Sequence, residues 1–337
     1  MTCRKSKQNT IELSGMEQKI EHILSYAIEA PSSHNTQPWR FKVSLSNVKV
    51  YADRERCLPV VDPNDRELAI SCGAAIGYIE VAARVFDLET TVSYANRSQN
   101  PDFLADVEFS EGKPASLEEL TVFEVIPTRR TNRSKFWMQS VAKEILSRCR
   151  ELADRFDTDL AIIENESDRE AVAELVSRGD RVQFDDSSFR RELAQWVRSS
   201  DSATNDGMSG AGFGIPDLLL PLGSLIIRTF DIGNTVAAGD AQKIVSGSPV
   251  LFVFASKTDD LDAWLNAGRA LAHVLLYLSS HGISNSYLNQ PIEVESLRSR
   301  LQAVTDSAEF PQLMLRIGYA DAEPAPSARR DLSEVLL

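Results

Sequence analysis

Apolar positions recur at helical spacing through Ile20, Ile23, Leu24, Ala27 and Ile28, and the run breaks at Pro31. Ser14, followed three residues later by Glu17, has the form of a capping box, so a helix is predicted from there to Pro31. Over residues 40–51 the period drops to two. Phe41 and Val43 alternate with polar neighbours before residues 44–47, and Val48 and Val50 alternate after them, which predicts a hairpin. Asp62-Pro63 predicts the start of a second helix running to Phe86, since Asp caps and Pro is tolerated in a first turn. Further strands are predicted over residues 103–109 and Thr158–Ile163, and helices over residues 169–177 and 189–199. The continuous apolar runs 249–255 and 311–317 are of strand length and predict central strands covered on both faces.

The second helical pattern returns. Residues 73–88 lie over residues 268–283 at an offset of 268 − 73 = 195, matching Gly73 to Gly268, Ala75 to Ala270, Ile76 to Leu271, Ile79 to Val274 and Leu88 to Ile283. Two amphipathic helices can match through shared helix chemistry alone. Strand-like flanks at residues 91–94 and 284–288 repeat as well, which favours an internal duplication of halves 1–110 and 111–337 about an approximate two-fold axis. The expected fold class is α+β, with mixed or antiparallel sheets surrounded by helices. Residues 96–101 read as a polar turn. Residues 200–216 carry Gly207, Gly210, Gly212 and Gly214, so the segment reads as a mobile loop able to cover a site. It fails as a dinucleotide fingerprint because Ile215 stands where the third glycine belongs. No G-x-S-x-G elbow occurs. The tail 320–337 ends in Arg329 and Arg330 before a short apolar stretch, as an arm packed across the other half would.

Composition narrows the function classes. A chain of 337 residues that is 43% hydrophobic can bury a large core. Its net charge of −13 opposes non-specific binding to nucleic acid or to an anionic membrane. No apolar run approaches a membrane span and the first ten residues are polar, so the cytoplasm is the expected compartment. Cys3, Cys57, Cys72 and Cys149 lack metal or disulfide spacing, and no metal site is expected.

Two stretches carry candidate chemistry. Residues 30–41, APSSHNTQPWRF, place Ser32, Ser33, Asn35, Thr36 and Gln37 between Pro31 and Pro38. Such a pre-ordered polar row suits a flat polar ligand, and it equally suits a helix-to-strand turn with Trp39 in the core. Residues 125–143 contain no acid but carry Arg129, Arg130, Arg133, Lys135 and Lys143. With Thr131 able to cap a following turn, this reads as an anion site, or else as a solvated basic turn.

The first stretch resembles the flavin-contacting signature of the FMN-dependent nitroreductase superfamily, and the chain as a whole resembles its Acg-like branch. The resemblance implies a nitroreductase-like fold holding FMN non-covalently. Pro31, Ser32, Ser33, Asn35 and Gln37 would contact the flavin, while Arg129, Arg130, Thr131 and Arg133 match the family's cationic element for the phosphate and the N1/O2 edge. Arg329 or Arg330 matches a basic residue near the family's C-terminus, although Asp331 stands where Pro is common. More loosely, Asn289, Gln290 and Pro291 correspond to the loop facing flavin N5, and Ser248 and Pro249 to a strand bordering the ring. Each half carries one element and lacks the other, so a single FMN site is expected at their junction, in a monomer or a homodimer. The implied activity is ping-pong transfer from NAD(P)H through FMN to a quinone, nitroaromatic or similar electron-poor acceptor, with no side chain required as acid or base. His34 is a candidate proton donor or a structural histidine. The alternative is a flavin-sequestering protein whose lid, residues 200–216, blocks nicotinamide.

Overall fold

The computed structural model describes residues 15–96, 100–198, 204–209, 222–321 and 324–337. Helix α1 (Met16–Ala27) buries Ile20, Ile23, Leu24 and Ala27, the stripe its spacing predicts. Gly15 stands at its N-cap, and Ser14 of the expected capping box lies outside the described residues. Strands β1 (Trp39–Ser44) and β2 (Asn47–Ala52) form the hairpin. Helix α2 (Arg66–Val85) begins at Arg66 and not at Pro63, because Asp65 in the left-handed region is the N-cap. Asp62 still caps from outside, its carboxylate accepting from the Leu68 N–H at 2.9 Å. Strands β3 (Leu88–Tyr94) and β4 (Phe103–Glu111) complete an antiparallel sheet of order β1-β2-β4-β3. Residues 97–99 of the expected polar turn lie outside the described residues.

After α3 (Leu117–Glu124) and α4 (Lys143–Asp154) comes β5 (Thr158–Ile163), then α5 (Glu166–Asp185) and α6 (Ser187–Gln195). α5 outruns the predicted 169–177 because Asn165 caps it, accepting from the Asp168 N–H at 2.8 Å. α6 stops short of 199, where β6 (Val197–Arg198) leaves it to pair with β7 (Met208–Ser209). Helices α7 (Gly223–Thr229) and α8 (Gly233–Gly247) lead to β8 (Val250–Ser256), α9 (Leu261–Ser280) and β9 (Ser284–Tyr287). Helices α10 (Gln290–Glu293) and α11 (Glu295–Val304), strand β10 (Phe310–Gly318) and helix α12 (Leu332–Val335) end the chain. The second sheet is antiparallel in order β5-β8-β10-β9. Every residue of β8 is buried, and all of β10 except Phe310, so the apolar runs are the central strands.

Counted within its own half, each sheet reads first, second, fourth, third, and a 20-residue helix joins the second strand to the third. These helices start 261 − 66 = 195 residues apart, the offset of the sequence repeat. They also pack on each other: a methyl group on Gly73 would meet the Leu265 carbonyl, and one on Gly268 the Ile70 carbonyl. Leu265, Ala272 and Leu276 of α9 enter the core of the first half, and Ile70 of α2 enters that of the second. α2 is long and apolar enough to cross a membrane, contrary to the reading of the runs, but it is buried on nearly all sides and its apolarity serves this core.

The tail returns to β1. The Leu337 N–H donates to the Phe41 carbonyl at 2.8 Å, Leu336 bridges Phe41, and α12 is closed by a reciprocal capping box of Asp331 and Glu334.

Candidate functional site

The loop after α1 is shaped by three left-handed residues, His34, Asn35 and Gln37, at φ 49°, 55° and 53°. Non-glycine residues hold this region at a cost, and here side chains fix it. Ser32 Oγ accepts from the Gln37 N–H at 2.9 Å. Asn35 Nδ2 donates to the Gly207 and Ala328 carbonyls at 2.9 and 3.0 Å, and the Gly207 N–H returns a bond to the Asn35 carbonyl at 3.2 Å. Gln37 Nε2 donates to the Asn205 carbonyl at 2.9 Å, while Gln37 Oε1 accepts from the Arg330 N–H at 2.8 Å. The amides of Asn35 and Gln37 are therefore spent on residues 205–207 and on the arm, and are not open donors for a ligand. Ser33 Oγ donates to Glu67 at 2.5 Å, and Pro31 is buried. His34 is neutral at ordinary pH: burial, opposed by Glu67 and assisted by Arg133, pulls its pKa down to about 4.

The arginine segment differs from expectation in one respect. No helix follows Thr131, which instead bridges Asn285 of β9, so there is no helix N-terminus for an anion. Arg130 curls back, donating to the Arg129 and Pro127 carbonyls at 2.8 and 2.6 Å. Arg133 reaches Met208 Sδ at 3.6 Å and is solvent-exposed at its surface, while desolvation of its inner part lowers its pKa. Arg129 is 3% exposed, and its Nε and Nη1 have no hydrogen-bond partner.

Several expected contacts are committed elsewhere. Arg330 is buried and pairs with Asp53 at 3.2 Å, so it anchors the arm and does not present itself to a ligand. Ser248 Oγ donates to the Lys243 carbonyl at 2.7 Å, and half-buried Pro249 packs beside Gly318. Asn289 Nδ2 faces Glu67 at 3.4 Å, its Oδ1 accepts from the Met314 N–H, Gln290 Nε2 donates to Asp180 at 3.0 Å, and Pro291 is buried at the start of α10. Through Glu67 the 289–291 loop and the Ser33 turn share one carboxylate, so the structure does bring them together.

Arg329 comes to the same place as Arg129. Its Nη1 donates to Asn35 Oδ1 at 2.8 Å, but its Nε finds no hydrogen bond, Glu29 lying 3.7 Å away. Burial and repulsion from Arg129 pull the Arg329 pKa down to about 10. The pattern did not point to Tyr78 of α2, Tyr287 of β9 or Asn285: buried hydroxyl oxygens on the two tyrosines, and both side-chain polar atoms of Asn285, lack partners. Both tyrosines feel the charges of Arg129 and Arg329, and the bridge of Thr131 to Asn285 sets β9 beside the arginine segment, so these groups lie together. Unpaired buried donors cost about 1–3 kcal/mol each, and two guanidiniums facing one carboxylate leave the hollow positive. A multi-oxygen anion would satisfy both demands. Among the described residues no cluster suits a metal ion.

No family model matches the chain. It is 27% identical over 326 residues to Rv3131 of Mycobacterium tuberculosis, covering 94% of this chain and 90% of that protein. It is 26% identical over 323 residues to acg of the same organism, with 94% of each covered, and 23% identical over 337 residues to PigM of Serratia sp., with 95% and 93% covered. All three carry provisional names as NAD(P)H nitroreductases. The similarity to the Acg-like branch of the nitroreductase superfamily therefore runs nearly the whole length of the chain. An FMN- and NADPH-dependent nitroreductase, NfnB of Sphigopyxis sp., has a TM-score of 0.44 and 20% identity, covering 64% of this chain and 96% of that one; at that score the likeness decides nothing further.

Proposed function

We propose that this chain is an FMN-binding oxidoreductase of nitroreductase type, formed by duplication, with one flavin site where its halves meet. The observation carrying the reading is the meeting of Arg129, whose buried Nε and Nη1 have no hydrogen-bond partner, with Arg329, whose Nε makes no hydrogen bond and stands 3.7 Å from Glu29. A phosphate monoester matches this pair in charge and in acceptor number, and relatives matched over nearly the whole chain carry provisional names as NAD(P)H nitroreductases. Arg129 and Arg329 would hold the phosphate, Arg133 would line the cleft, and the Ser32-Ser33 turn with the 289–291 loop would form the rim. FMN would supply the hydride chemistry, taking reducing equivalents from NAD(P)H and passing them to an electron-poor acceptor such as a quinone or nitroaromatic.

The chain's own part is binding and exclusion. Asn35 and Gln37 set the loop's shape by tying it to the arm and to residues 205–207. Neutral His34 adds no charge beside the arginines. Duplication is supported by the shared strand order and by the 195-residue offset of α2 and α9.

A second reading, flavin storage with little turnover, has a specific observation behind it. Residues 205–207, inside the expected lid, are clamped to the site loop, and Asp206 is held by both Arg56 and Arg198. Residues 199–203 and 210–221 lie outside the described residues. The two readings separate when NADPH is added anaerobically to the flavin-loaded protein. Bleaching of the flavin absorbance, followed by recovery on adding a quinone, supports the oxidoreductase; an unbleached spectrum supports storage.

A further inference from the structure

We infer that Tyr78 and Tyr287 form a hydroxyl pair that ligates the phosphate beside Arg129, a role that neither the family signature nor the basic segment assigns. The inference rests on the FMN reading above. Tyr78 lies on α2, is 0% exposed, and is embedded in the core of the first half. Tyr287 lies on β9 of the second half, on the same face as Asn285 two residues earlier. Their hydroxyls are buried and unpartnered, although each is close enough to Arg129 to affect its titration. Tyr78 comes within a weak hydrogen bond of Arg129, whereas Tyr287 meets it only through charge.

A buried hydroxyl without a partner is destabilising, and the simplest remedy in evolution is phenylalanine, which keeps the ring and its packing. Two such hydroxyls, reaching one cationic hollow from different halves, are explained if a ligand oxygen is their partner. Burial raises both tyrosine pKa values, so each remains a neutral donor at any working pH. The arginines supply charge and the tyrosines add direction without further repulsion between cations. Asn285, with both polar atoms unpartnered, can accept from one hydroxyl or donate to the same anion.

The experiment uses the full chain freed of flavin, as wild type, Tyr78→Phe, Tyr287→Phe and the double variant. Flavin-fluorescence titrations with FMN and with riboflavin, which lacks the phosphate, are paired with thermal melts with and without inorganic phosphate. Each single variant is expected to bind FMN about ten-fold more weakly and the double variant about a hundred-fold, with riboflavin affinity unchanged. The flavin-free variants should melt no lower than wild type, and phosphate should raise Tm in wild type but not in the double variant. Unchanged FMN affinity in the double variant, or equal losses for FMN and riboflavin, overturns the tyrosine assignment. If wild type binds neither flavin, the FMN reading falls; the phosphate melts then decide the tyrosines, and an equal Tm rise in wild type and double variant overturns them.

Discussion

Asp180 of α5 is 1% exposed, faces Asp240 of α8, and has one carboxylate oxygen without a partner. Burial first, and repulsion from Asp240 second, push its pKa up to about 7, against weaker help from Gln290, Lys243 and Arg181. The unfolded chain thus releases this proton near the ordinary aspartate range while the folded chain keeps it, so this group lowers stability as pH rises from about 4 to 7. Asp180→Asn should gain about 2–4 kcal/mol relative to wild type between pH 4 and pH 8; urea midpoints at both values check this, and a pH-independent difference would contradict it. Arg129→Gln tests the site from the other side. It should weaken FMN by roughly 1.5–3 kcal/mol, the worth of a charge-assisted bond, with a much smaller change in the Tm of the flavin-free protein, since Arg129 Nε and Nη1 make no internal hydrogen bond and the contact with Tyr78 is weak. Arg330→Ala should do the reverse, costing about 2 kcal/mol of stability by stripping Asp53 of one cation while Arg40 remains. At this scale the sequence was legible in type and misleading in direction. Asn35 and Gln37 stand out in the sequence as a polar pair, but the partners that consume their amides lie about 170 and 290 residues away. Tyr78 was hidden because an apolar helical stripe gives no sign of which aromatic hydroxyl goes unpaired.

Periodicity located most of the elements at the next scale. The α1 stripe, the hairpin and the two buried strands β8 and β10 are where the spacing puts them. Helices α3, α4, α7, α8, α10, α11 and α12 lie outside the helices the spacing predicts; α3 and α4 flank the basic segment. The crossing of α2 and α9 was legible as matched small residues, and its reason is now physical: neither Gly73 nor Gly268 can carry a methyl group without striking the facing helix's backbone. Gly73→Ala and Gly268→Ala should each cost on the order of 2–4 kcal/mol, as overpacked cores do when backbone must move. Denaturant unfolding measures this, and a loss within 0.5 kcal/mol, about what an exposed site gives, would mean that the helices separate at little cost.

For the whole molecule, two antiparallel four-stranded sheets of one strand order sit on the helix pair α2 and α9, and Arg329 of the returning tail binds the polar loop at Asn35 and stands beside Arg129. The sequence showed the two complementary elements but not their meeting point, which depends on the Asn35–Arg329 and Gln37–Arg330 bonds between opposite ends of the chain. Calorimetric titration of the flavin-free protein with FMN tests that arrangement most directly. Saturation at one FMN per chain, with the enthalpy signal abolished or strongly weakened in Arg129→Gln, is the predicted result. Two equivalents per chain, or full binding by that variant, would contradict it.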